Sequence, residues 1–209
     1  MNDRAITKVA SVLAGLSVAV LGLAAPAQAG QWVGVDPGHD VAAYSCQPGC
    51  HWKAAPGNAS ADMVRQQVTY RHEKIKITVT VRKIDTSAAF ALSSILKKTE
   101  QVGRYYGVIA AFSPGRTPQV IVRNPHGTPV DCGAATPKLM GNKIKVVVPS
   151  RCLHSPNWVR WSGYMRVIFH GDLDNDGKFE GYFDKFRSSS DTPLNKRTFE
   201  FSRRVYRAA

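Results

Sequence analysis

Acidic residues are the scarce class in this 209-residue chain: 15 Asp and Glu stand against 28 Lys and Arg, and the formal net charge is +13. A field of that sign draws polyanions of any kind, which outside a cell include anionic wall polymers, acidic glycans and anionic lipid surfaces. Catalytic signatures are missing too. There is no Gly-x-Ser-x-Gly elbow and no His-Glu-x-x-His pair; His72-Glu73 stands alone. The six histidines, His39, His51, His72, His126, His154 and His170, are scattered, and none pairs at the helical spacing of metal ligands. His39-Asp40 reads as a turn with a surface histidine rather than an acid–base pair. No pattern marks two carboxylates for glycoside cleavage. These absences favour a non-catalytic protein.

Long hydrophobic runs are also missing after the first residues of the chain. The exception, Val9 to Ala25, carries no charge, follows Arg4 and Lys8, and is broken by Pro26. Ala27-Gln28-Ala29 then supplies a small-x-small cleavage site, so residues 1–29 read as a secretory signal peptide. No later stretch approaches the ~18 apolar residues of a membrane span. The mature chain is expected to be secreted, without a transmembrane segment. Loss of Asp3, Arg4 and Lys8 with the leader leaves it one unit less positive than the full chain.

Cysteine is sparse but even in number, and all of it is in the mature part: Cys46, Cys50, Cys132 and Cys152. In an exported chain that count reads as two disulfides. Three pairings are possible, and Cys46–Cys50 with Cys132–Cys152 is favoured. The first closes a tight loop over Pro48-Gly49; the second ties segments that flank a predicted strand. With a single close pair at x3 spacing, a four-thiolate zinc site is disfavoured.

Residues 30–61 are rich in Gly, Pro, Ala and Ser, with little periodicity. From Met63 the side chains alternate. Val64, Val68 and Tyr70 share one face, and Ile75, Ile77, Val79 and Val81 alternate with Lys76, Thr78, Thr80 and Arg82, which predicts a hairpin. Further strands are predicted within 86–99, over 104–112 and 119–123, as a short edge over 128–132, from Asn142 to Pro149, and over 158–169, 179–186 and 198–206. No strand–helix alternation occurs. The chain is therefore expected to be all-β, an antiparallel β-sandwich of jelly-roll type. Its expected organisation is a signal peptide (1–29), an irregular N-terminal segment with a short disulfide loop (30–61) and a β-sandwich domain (62–209).

Two stretches carry a resemblance. One is Asp36-Pro37-Gly38-His39-Asp40-Val41. The other is Val148-Pro149-Ser150-Arg151-Cys152-Leu153, with Pro156, Val159-Arg160 and the upstream Thr128-Pro129-Val130-Asp131-Cys132. Together they resemble small exported β-sandwich proteins, mostly uncharacterised, of high-GC Gram-positive bacteria. The resemblance covers most of residues 36–170 and implies a fold and a disulfide, but no activity. The Cys46–Cys50 loop and the acidic loop after His170 depart from it.

That acidic loop, Asp172-Leu173-Asp174-Asn175-Asp176-Gly177, places carboxylates at alternate positions before a glycine, as the first half of a Ca²⁺ loop does. The candidate ligands are Asp172, Asp174, Asp176, the Lys178 carbonyl, Glu180 and Asp184. Phe183 stands at the twelfth position where a full EF-hand has Glu. The expected cofactor is Ca²⁺ in a structural role on a strand hairpin. The second candidate site is the even-numbered face of 158–169: Trp158, Arg160, Tyr164 and Arg166. Aromatic rings stack on sugars and guanidinium forks bind phosphate or carboxylate. Arg65, Arg71, Lys74, Lys76 and Arg82 are expected to extend it.

The leading expectation is thus a secreted, non-catalytic binding or accessory module for an anionic polymer or glycan surface, with no specific nucleic acid implied. Two alternatives stand beside it. One is a secreted protein-interaction factor, inhibitor or effector, acting through loops 46–50 and 113–118 on a partner the sequence does not identify. The other is a hydrolase with an unrecognised site.

Overall fold

The computed structural model describes residues 30–46, 50–101, 103–133, 135–168, 179–186 and 200–208. The alternating patterns become strands, and among the described residues there is no α-helix, hence none long and apolar enough to cross a membrane. The strands are β1 (Gln31–Val35), β2 (Ala42–Cys46), β3 (Cys50–Ala54), β4 (Met63–Arg71), β5 (Lys74–Val81), β6 (Ala89–Lys97), β7 (Tyr105–Phe112), β8 (Gln119–Arg123), β9 (Pro129–Val130), β10 (Thr136–Met140), β11 (Lys143–Pro149), β12 (Trp158–Ile168), β13 (Phe179–Lys185) and β14 (Val205–Tyr206). A 3₁₀ turn, Ser150–Leu153, follows β11.

They form two antiparallel sheets. The smaller runs β1-β4-β5-β11-β10 and the larger β3-β2-β13-β12-β6-β7-β8-β9, with β14 paired to the start of β12. The inward residues of both sheets make one core. Val68, Tyr70, Ile75, Ile77, Val79, Ile144 and Val146 meet Leu92, Leu96, Val108, Ala110, Trp161, Met165 and Val167, all essentially without solvent contact. Burial on this scale is the main stabilising term, about 1.5–3 kcal/mol for each large side chain. Trp32 of the smaller sheet packs on Trp161 of the larger, ring centroids 6.1 Å apart, and both touch Phe186 at 5.5 Å. Position 163 must be glycine here, because a Cβ would lie 2.5 Å from the Trp161 ring.

The antiparallel sandwich is as expected. Jelly-roll connectivity is not confirmed by this order, in which the sheets are unequal and β6-β7-β8-β9 is a simple meander. Three further expectations are corrected. The segment 30–61 is not irregular but supplies β1, β2 and β3. In β1 only Trp32 and Gly34 turn inward while Val33 and Val35 are exposed, so no apolar–polar alternation announces it. The edge strand β10 was not expected, and the final strand shrinks to Val205–Tyr206. Residues 200–204 instead run alongside β12 through single contacts, such as Ser202 N–H to the Trp161 carbonyl at 2.7 Å.

Cys132 and Cys152 form a disulfide, their Cα atoms 5.6 Å apart. It joins the β9 edge of the larger sheet to the turn that ends β11 of the smaller. Cys46 and Cys50 stand directly opposite each other across β2 and β3, with side chains outside the described residues. Cys132 and Cys152 are 20 residues apart. Loop entropy for that length is worth about 3 kcal/mol, so the Cys132→Ala/Cys152→Ala variant should lose about that much in denaturant unfolding.

Candidate functional site

Three places on the molecule concentrate chemistry. The first is a buried carboxylate centre where the two sheets meet. Asp36 follows β1, Asp40 precedes β2, Asp62 precedes β4, and Asp184 lies on β13 opposite Met165, on the core side of the sheet. The tight turn between β1 and β2 brings the first two together, with Gly38 and His39 both left-handed at φ 73° and 63°. All four aspartates are buried, Asp62 completely.

Their partners are few. Asp62 accepts from the His39 backbone N–H at 3.0 Å and pairs with the Arg82 guanidinium. Asp184 accepts from the Met63 N–H at 2.6 Å. The Gln66 amide donates to Asp36 at 3.2 Å. Left without a hydrogen-bond partner are both oxygens of Asp40, one oxygen each of Asp62 and Asp184, and the Gln66 carbonyl oxygen. One carboxylate oxygen from each of Asp40, Asp62 and Asp184 lies within 4.8 Å of the others. Burial, with the charges of Asp40 and Asp36 added, pushes the Asp184 carboxyl up to about 9. Burial likewise lifts Asp40 to about 6. The centre therefore either keeps protons at neutral pH or takes a cation.

Of the calcium ligands expected from the sequence, Asp172, Asp174, Asp176 and Lys178 lie outside the described residues, as does the side chain of Glu180. Asp184 is described, and it sits with Asp40 and Asp62.

The second place is the outer face of the larger sheet. Trp158, Arg160, Tyr164 and Arg166 do share one face of β12, each half-buried. The structure divides them. The Arg204 guanidinium covers Trp158 at 4.7 Å. Arg160 donates to the Ser202 carbonyl at 2.7 Å and approaches Glu100 at 3.6 Å. Both are thus engaged by the chain's last segment. Tyr164 and Arg166 join a different group: Tyr164 stacks on Phe183 at 4.9 Å, Phe183 meets Trp52 at 6.0 Å, Trp52 meets Tyr44 at 5.3 Å, and Arg166 lies over Tyr44. Tyr44 lies flat because its cross-strand partner is Gly181, where a Cβ would fall 2.6 Å from the tyrosine hydroxyl. Sequence reading missed Tyr44, Trp52 and Phe183. The alternation in Ala42-Ala43-Tyr44-Ser45 and His51-Trp52-Lys53 was the available signal.

The third place is the outer face of the smaller sheet. Arg65, Arg71, Lys74 and Lys76 were expected to extend the Trp158 stripe. They lie instead on β4 and β5, across the sandwich from it, and Arg82 is turned to Asp62. On their own face they are joined by Lys143 and Lys145 of β11 and Lys138 of β10, since the register puts Lys145 beside both Thr78 and Lys138. The five strands of this sheet contain no Asp or Glu. No ion pair engages any of these seven cations among the described residues. Val33, Val35 and Met140, all exposed, occupy the margins of the face.

No protein-family model matches the chain, and no curated protein matches it.

Proposed function

We propose that this is an exported, non-catalytic binding module for an anionic polymer, met by the outer face of the smaller sheet. One observation carries the reading: seven cations and no carboxylate share the outer face of the strands of one sheet. Same-face neighbours along a strand are about 6.6 Å apart and adjacent strands about 4.8 Å. That spacing suits repeated phosphate, sulfate or carboxylate groups. The arrangement is unfavourable on its own. Arg71 stands directly opposite Lys74, and Lys145 opposite Lys138, whereas like charges across a ladder repel. A polyanion relieves that repulsion. Threonines between the cations, Thr78 and Thr80, add hydroxyl donors. The secretory leader and the likeness to exported sandwich proteins agree with a partner outside the cell.

The test is chromatography of the protein on immobilised polyphosphate and dextran sulfate under a salt gradient. Binding should weaken steeply with salt. The triple variant Lys76→Ala/Lys138→Ala/Lys145→Ala should bind at least tenfold more weakly, with unchanged unfolding. A Trp52→Ala/Arg166→Ala variant should bind as the parent does. The opposite result would move the ligand to the aromatic group on the other sheet, where ring stacking suits a neutral glycan.

A further inference from the structure

We propose that Asp40, Asp62 and Asp184 form a buried site for one calcium ion that ties the two sheets together. Three observations converge. First, the donor atoms are all oxygen and come from separate parts of the chain: the β1–β2 turn, the residue before β4, and β13. Hard divalent cations take such donors, and no cysteine or imidazole joins the group among the described residues.

Second, the geometry fits. Two oxygens bound to one Ca²⁺ at about 2.3–2.6 Å are at most about 5 Å apart. The three carboxylate oxygens fall within 4.8 Å of one another.

Third, the unpartnered atoms are not only anionic. Gln66 is wholly buried, its amide nitrogen is spent on Asp36, and its carbonyl oxygen has no donor. It is neutral, so charge repulsion does not account for it. Gln66 joins the group through Asp36, and an electropositive guest among the carboxylates satisfies the unpaired oxygens of Asp40, Asp62 and Asp184. Arg82 pairs with Asp62 and attracts Asp40 only without a hydrogen bond, which leaves one cation against three carboxylates. Burying ionised carboxylates without a counter-charge is strongly unfavourable.

The ion would be structural, since its ligands are enclosed. It bridges the start of β4 in the smaller sheet and β13 of the larger. This site takes no ligand from Asp172, Asp174 or Asp176, and it rests on no reading of the basic face.

The experiment uses CaCl₂ alone as the probe. Thermal unfolding is followed in chelator and in excess Ca²⁺ for the parent, for Asp40→Asn, and for the loop variant Asp172→Asn/Asp174→Asn/Asp176→Asn. At a hundredfold excess over Kd, the parent should gain roughly 5–10 °C in Tm. The loop variant should keep that gain. Asp40→Asn removes a charge with no partner to lose, so in chelator it should be at least as stable as the parent. In Ca²⁺ it should lose most of the gain, with at least tenfold weaker binding by calorimetry. Three outcomes overturn the proposal: no calcium-dependent shift in the parent, a shift unchanged in Asp40→Asn, or a shift lost only in the loop variant. The first would mean that the aspartates share protons and hold no metal.

Discussion

Replacing Trp161 with alanine should cost about 3–5 kcal/mol in denaturant unfolding and lower Tm by roughly 10 °C or more. No solvent reaches this side chain, and it packs on Trp32 and Phe186 where the sheets meet. Little can collapse into the space. Its neighbours sit on two sheets whose hydrogen-bonded ladders resist local bending, and residue 163 is a glycine with no side chain to move in. The indole N–H has no acceptor among the described residues. Phenylalanine would keep much of the volume and remove that unpaired donor. Trp161→Phe should therefore cost less than half as much as Trp161→Ala. Equal losses would mean that shape, not volume, controls the site.

Arg82→Met should be nearly as damaging, about 3–5 kcal/mol in metal-free buffer. Asp62 is completely buried, and Arg82 is its charged partner. Removing the guanidinium leaves a carboxylate whose other bond comes from the His39 backbone N–H. The penalty is that of a stranded charge, so removing the charge should remove the penalty. The double variant Arg82→Met/Asp62→Asn should recover more than half of the loss. Additive losses in the double-mutant cycle would show instead that the methylene packing of Arg82 is what matters.

How much was legible in the sequence follows from which faces a strand presents. β4, β5, β11 and β12 each have one face in the core and one turned outward, so their alternation printed the sandwich directly. β10 does not. As an edge strand with Pro137 and no fully buried residue, it has no core face to print, although Gly141-Asn142 marked the turn beside it. β1 failed for a related reason, since Val33 and Val35 on its exposed face are as apolar as Trp32 on its inner one. Charge placement was less legible still. Which sheet Lys76 shares with Lys145 depends on β5 pairing with β11, a partnership between segments some seventy residues apart. The carboxylate centre was the least legible part. Asp184 stood out only as the tail of a calcium-loop pattern, and Asp36-Pro37-Gly38-His39-Asp40 only as a turn. Nothing local says that they converge with Asp62. A crossing of two sheets brings them together.

The Ala208 N–H bonds to the Tyr70 carbonyl at 3.0 Å, and the Tyr70 N–H to the Gly30 carbonyl at 2.7 Å. Residues 30 and 208 are therefore near neighbours at one corner, and the path of the backbone is almost a closed ring. Anything fused before the first strand or after the last would emerge from that single corner. That corner adjoins Arg71, so a module joined there would stand at one end of the cationic face and could be used to crowd it.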